Sequence, residues 1–173
     1  MIGWDDIAHL QRLGRPVSGV DLGALDGSGR TIANLVVNQS TWRGALLRGA
    51  RLTHVNFVNC DLREADASGA TLEGCSFTHC RLEGSRWEGA AFQQVAFARC
   101  ELAASQWRRA HLALSAFTQS GLGGASFAGA TLHRTVATQC ELAGLVLTQA
   151  TLDQAVIPGI DARSMQVAGL VAQ

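Results

Sequence analysis

The chain has no lysine. Its basic charge is carried by 14 arginines, matched by 14 acids, so the formal net charge is zero. There is no basic field to attract nucleic acid and no acidic excess to imitate it. Long apolar runs are missing as well. The first residues, MIGWDDIAHLQRLGRP, contain Asp5 and Asp6 and no apolar stretch of the length that a signal peptide or a membrane span requires. The expectation is a cytoplasmic protein whose partners include neither nucleic acid nor membrane. The five cysteines form no CxxC pair and stand at no zinc spacing with histidine. Reduced thiols are therefore expected, with no disulfide framework, no metal and no cofactor. A length of 173 residues suits one domain with a core of its own.

What the chain has in place of these features is a repeat, and repeats take precedence over helix and strand assignments. In ATLEGCSFTHCRLEG, residues 70–84, Ala70, Cys75 and Cys80 lie five apart, with Leu72, Phe77 and Leu82 two places after them. Neither a helix, with its period near 3.6, nor a strand, with its period of 2, explains a step of five. The phase holds from Ser40 to Ala155, small or modest residues recurring at every fifth position with Leu145 as the one large exception. Two places later stands a large apolar residue, from Trp42 and Leu47 to Ile157, except at Ala67 and Ala137.

Units such as ADASG, ATLEG and CRLEG resemble the pentapeptide-repeat family, whose consensus is a small residue, a polar one, Leu or Phe, and two variable positions. The resemblance implies an all-β fold: a right-handed, four-sided β-helix (a solenoid) with one pentapeptide per side. Positions twenty apart should then stack in columns at roughly the 4.8 Å spacing of paired strands. The columns show the preferences this requires. One runs Ala50, Ala70, Ala90, Ala110, Ala130, Ala150; another Ser40, Cys60, Cys80, Cys100, Ser120, Cys140. Phe57, Phe77, Phe97 and Phe117 share a column, as do Leu62, Leu82, Leu102, Leu122 and Leu142. In the column Leu47, Ala67, Trp87, Trp107, Phe127, the missing volume at Ala67 adjoins the excess at Trp87, as close packing demands. After residue 40 every glycine except Gly121 and Gly123 shares one phase, the expected corner, where positive φ is easiest for glycine.

Chemically suggestive residues fit this frame as structure. All five cysteines face inward, and three neighbouring thiolates among Leu and Phe would lack charge compensation, so core filling is the expectation. Trp87 and Trp107 point inside and offer no stacking platform. His111 and His133 share a face in neighbouring coils with no carboxylate beside them, and Glu83 and Glu101 lie on a convex side. No nucleophile with base and acid is evident, so no enzyme is expected.

The outer surface differs between sides. One side mixes both signs through Arg43, Asp61, Arg63, Glu64, Arg81, Glu83, Glu101, Glu141, Asp161 and Arg163. Another runs Val36, Asn38 and Gln39, then Asn56, Val58, Asn59, Ser76, Thr78, His79, Ala96, Ala98, Arg99, Ala116, Thr118, Gln119, Val136, Thr138 and Gln139. Arg99 is its one full charge. Such a flat side matches the centre of a protein interface and is the candidate partner-binding face.

Three segments follow. Residues 1–34 hold a capping helix, with Trp4, Ile7 and Leu10 on one stripe and Gly14 and Pro16 at its end, then a first coil that looks irregular because Gly27 and Arg30 take inward positions. Residues 35–160 are the β-helix. Residues 161–173 form a C-terminal coil or cap, and Leu145, Ile160, Met165, Val167 and Leu170 are the expected contact of a homodimer through that end. The functional expectation is a non-catalytic protein-binding scaffold. The alternative implied by the family is protection of topoisomerases such as gyrase by mimicry of DNA, which the neutral charge opposes. A secretion-linked effector or accessory protein is the further alternative.

Overall fold

A pentapeptide that turns its first and third residues inward buries two side chains in every five, and four such units close one coil. The computed structural model, in which residues 2–158 and 171–172 are described, is an all-parallel β-solenoid of about seven coils with one short helix at its N-terminus. Helix α1 (Trp4–Arg12) precedes β1 (Val17–Ser18), β2 (Thr31–Asn38), β3 (Arg51–Val58), β4 (Thr71–Glu73), β5 (Ser76–Thr78), β6 (Ala91–Gln93), β7 (Ala96–Ala98), β8 (His111–Ala113), β9 (Ala116–Thr118), β10 (Thr131–His133), β11 (Val136–Thr138), β12 (Thr151–Asp153) and β13 (Val171–Ala172). Partners lie twenty residues apart throughout the repeats, as in Val17↔Val37, Phe57↔Phe77 and Leu132↔Leu152.

The four sides are of two kinds. Side one starts at Thr41 and Asp61, side two at Leu46 and Asp66, and both pair only through isolated bridges such as Asp61↔Arg81 and Asp66↔Arg86. Side three starts at Arg51 and Thr71, side four at Asn56 and Ser76, and both carry ladders. β2 and β3 run through the corner between sides three and four. The ladder β5, β7, β9, β11 on side four and the ladder β4, β6, β8, β10, β12, β13 on side three therefore join at β3.

Inside, like stacks on like. The rings of Phe57, Phe77, Phe97 and Phe117 lie parallel, with centroids 4.8, 4.8 and 4.9 Å apart, the strand spacing itself. Trp87, Trp107 and Phe127 stack at 5.5 and 5.3 Å in the neighbouring column, and the two columns meet edge to face. Each tryptophan also has a polar need. Trp87 Nε1 donates to Ser85 Oγ at 2.8 Å and Trp107 Nε1 to Ser105 Oγ at 2.7 Å. These serines take the place of the alanines at Ala45, Ala65 and Ala125 of the same column, in the two coils where a tryptophan follows two residues later. Trp42 has no such partner: Ser40 accepts from Val20 N–H and donates to Asn38 O, leaving Trp42 Nε1 unpaired among the described residues.

The first coil is more regular than its sequence suggests. Asp21↔Thr41 and Asp26↔Leu46 keep register, and residues 15–38 contain no inserted loop. Gly27 is small because Trp4 occupies its share of the core: a Cβ there would meet Trp4 Cζ2 and Leu47 Cδ2, each at 2.8 Å. Trp4 Nε1 donates to Asp26 O at 2.8 Å, and Arg30 turns out of its column to lie 5.0 Å above the Trp4 ring. Helix α1, with Ile7 buried, Asp6 Oδ2 accepting from Gly3 N–H at 2.8 Å and Arg12 in its last turn, is thus a plug for the open end.

Candidate partner-binding face and the remaining sides

The residues of the candidate face come together as one surface. Asn56 and Val58 on β3, Ser76 and Thr78 on β5, Ala96 and Ala98 on β7, Ala116 and Thr118 on β9, and Val136 and Thr138 on β11 point outward from adjacent strands in register. The inward residue between each pair, Phe57 through Ala137, anchors the strand to the core. Asn59, His79, Arg99, Gln119 and Gln139 form the corner beside this face. All have positive φ, between 50° and 54°, and all are exposed. The corner is bound along the rod by side chains: Arg99 Nε donates to Gln119 Oε1 at 3.0 Å, while on the face Ser76 Oγ donates to Asn56 Oδ1 at 2.8 Å. Arg99 is the one formal charge, and Val36 and Val156 extend the apolar surface, 44% and 52% exposed. A face of this kind is cheap to desolvate because it offers a single ion, Arg99 at its corner.

Sides one and two are charged, and many of their ions are paired. Arg63 makes two contacts to Asp61, at 2.8 and 2.5 Å, Arg43 meets Glu64 at 2.8 Å and Arg81 meets Glu83 at 3.5 Å. Asp66 stands apart. Its side chain is only 5% exposed, with Arg48 at 2.7 Å from the preceding coil, Arg86 at 3.5 Å from the following one and Ser68 Oγ donating at 2.6 Å. Burial opposes its ionisation, yet the hydrogen bonds from Ser68 and Arg48 outweigh it and hold the carboxyl below its ordinary range. Asp61 is lowered chiefly by the Arg63 hydrogen bond. At the first position of these sides Asp21, Asp26, Asp61 and Asp66 each accept from the backbone N–H two residues on, closing Asx turns where no strand forms.

The cysteine columns lie under the strand sides. Cys60, Cys75, Cys80, Cys100 and Cys140 are free thiols, each donating to strand carbonyls; Cys80 Sγ lies 3.5 Å from Phe57 O and 3.4 Å from Thr78 O. Ser120 and Thr135 make the same contacts in their columns. These columns therefore supply donors as well as volume. The hydrogen bond to Cys100 and burial push the Cys80 thiol up to about 12, the Cys80 contact and burial raise Cys60, and burial raises Cys75 and Cys140. Cys100 goes the other way, lowered by the Cys80–Cys100 contact against burial; the four raised, enclosed thiols are poor nucleophiles.

One histidine differs from expectation. His133 does have a carboxylate beside it: Nδ1 lies 2.5 Å from Asp153 Oδ2 on the next coil. In the ladder its neighbour on the preceding coil is Ala113. Of the expected dimer contact, Leu145 is buried at 5% exposure, and Ile160, Met165, Val167 and Leu170 lie outside the described residues. Among the described residues no helix is long and apolar enough to cross a membrane.

A family model described as a pentapeptide repeat region matches residues 50–127. Among solved structures, trypsin-treated QnrB1, a plasmid-mediated fluoroquinolone resistance protein, is 19% identical over 91% of this chain and 79% of that chain, with a TM-score of 0.47. A pentapeptide repeat protein of the Arabidopsis thaliana thylakoid lumen is 18% identical over 80% and 70%, with a TM-score of 0.38. HetL of the cyanobacterium Nostoc, involved in heterocyst differentiation regulation, is 15% identical over 92% and 98%, with a TM-score of 0.31. No curated protein matches the sequence. The chain thus carries a pentapeptide repeat region over residues 50–127, and the five-residue phase and the twenty-residue register of its coils continue on both sides of it.

Proposed function

We propose that the chain is a non-catalytic scaffold that binds another protein through side four. One observation carries the reading: six successive coils present a flat, registered surface on which Arg99 is the only formal charge, while sides one and two carry many ions of both signs. Protein interfaces are depleted of charge at their centre, and a rigid ladder loses little entropy on docking. The neutral surface supports this reading over DNA mimicry, which needs a continuous acidic stripe; here Arg43, Arg48, Arg63, Arg81 and Arg86 interrupt every acidic run. The protein is accordingly expected to leave gyrase supercoiling unchanged at micromolar concentration.

Affinity capture with the native chain, followed by mass spectrometry, tests the proposal when run beside two single-charge variants. Ala98→Arg on side four should abolish capture of the partner that the native chain retains. Ala103→Arg on side one should leave it intact. Retention by Ala98→Arg, or loss with Ala103→Arg alone, would contradict the assignment.

A further inference from the structure

Five arginines on sides one and two meet carboxylates: Arg43, Arg48, Arg63, Arg81 and Arg86. Arg108 and Arg109 do not. Among the described residues neither side chain is in an ion pair or a hydrogen bond, although Glu88 stands one coil away. The following coil places Ala128 and Gly129 where an acid would neutralise them. The small residues leave a cleft on side two of about 510 Å³, with Glu88, Arg108, Arg109 and Gln149 around it.

The backbone bears on what Arg109 costs the rod. Arg109 has φ of 55° at a corner whose equivalents in other coils are Gly29, Gly49, Gly69, Gly89 and Gly129, with Gln149 at φ of 57° in the last. Glycine is the residue that conformation favours, and arginine is held there against local preference. Its stem lies along the next coil, Cγ being 3.6 Å from where a Cβ on Gly129 would sit. A strained, unpaired cation between two glycines serves the stability of the rod poorly, and its placement beside a second unpaired cation over an open cleft serves an anion well.

We propose that the Arg108–Arg109 cleft binds a carboxylate on an acidic segment of a protein partner. Two guanidinium groups provide the donors, and the Gln149 amide adds a further one at the lower rim. Glu88 reduces the formal charge of the site to that of a single cation, which suits one carboxylate and disfavours a phosphate dianion. Side two is opposite side four, so a partner on the charge-poor face leaves the cleft open, and either assignment can fail without the other.

The test is fluorescence anisotropy of the full chain with a short fluorescein-labelled peptide carrying two glutamates. Its glutamine counterpart and inorganic phosphate serve as comparators. The glutamate peptide should bind and the glutamine peptide should not. Arg108→Gln and Arg109→Gly should each weaken binding about fivefold or more. Arg51→Gln, which removes an exposed arginine on side three, should leave binding unchanged. Arg109→Gly is the decisive variant: it restores the glycine of neighbouring coils, so its melting temperature should hold or rise while affinity falls. Equal binding of the glutamine peptide, equal weakening by Arg51→Gln, displacement by phosphate at the peptide's own concentration, or unchanged affinity in Arg109→Gly would each overturn the proposal.

Discussion

The strand sides and the turn sides of this rod are built from the same five-residue unit and solve the same problem differently. On sides three and four the backbone pairs continuously, and long polar residues such as Gln94, Arg99, Gln119 and Arg134 occupy the positive-φ corners. On sides one and two pairing shrinks to single bridges, the corners are mostly glycine, and aspartates close the turns from within. The columns beneath follow suit. Thiol and hydroxyl donors reach strand carbonyls under sides three and four, whereas alanine predominates under the turn sides except where Ser85 and Ser105 receive an indole N–H. What differs is where the polar groups are satisfied. The turn sides add ions and Asx turns at the surface to their bonds between coils, and the strand sides rely on continuous pairing between coils, leaving side four with Arg99 as its one formal charge.

The comparison is broken most severely through the core that both kinds of side share. Phe97 is fully buried between Phe77 and Phe117, so Phe97→Ala should lower stability by about 3–5 kcal/mol in chemical denaturation. A loss below about 1 kcal/mol would mean that the ring column contributes little beyond filling space. Next in size is Asp66→Asn, which keeps the shape and removes the charge that Arg48 and Arg86 share. It should cost about 1–3 kcal/mol at neutral pH. Because the folded carboxyl titrates below its unfolded value of about 3.9, this contribution is complete above that value and is lost as pH falls through the folded one. The gap between native and Asp66→Asn stability should therefore close in acid. A gap that stays constant down to acid denaturation would show that charge is not what Asp66 supplies.

Ser85→Ala separates the polar role of that column from its volume. It strands Trp87 Nε1 in the core and should cost about 1–2 kcal/mol, whereas Ala65→Ser, with no indole to receive, should bring no gain. The smallest effects belong to the corners. Gly69→Ala forces a side chain into φ of 67° and should cost about 1 kcal/mol, while Gln119→Gly relieves the same conformation but loses the Arg99 contact and should change little. Equal and large losses at both would erase the distinction between the two kinds of corner.

The periodic features were legible in the sequence, and the pairwise ones were not. A step of five and a column step of twenty place Phe57, Trp87 and Cys80 inside and Thr118 outside before any coordinates are known. The match of Ser85 and Ser105 to the tryptophans left a signal, since SRW and SQW repeat the spacing, but STW at Ser40 has the same spacing and makes no such bond. His133 with Asp153, Asp66 between two arginines and Trp4 over Gly27 depend on side-chain reach between coils or on where a helix folds back, and five-residue phase encodes neither. The left-handed corners at Gln94 and Leu114 are hidden for another reason: the surrounding coil imposes a conformation that those residues do not prefer.

The central claim is that the charge-poor strand side is where another protein docks, and photo-crosslinking addresses it most directly. A photoreactive residue is placed in turn at Ala98 and Thr118 on side four, Ala103 on side one and Ala113 on side three, all outward positions of the rod. Irradiation in the presence of the captured partner should give adducts from positions 98 and 118 and none from 103 or 113. Adducts from 103 or 113, with 98 and 118 silent, would contradict the account.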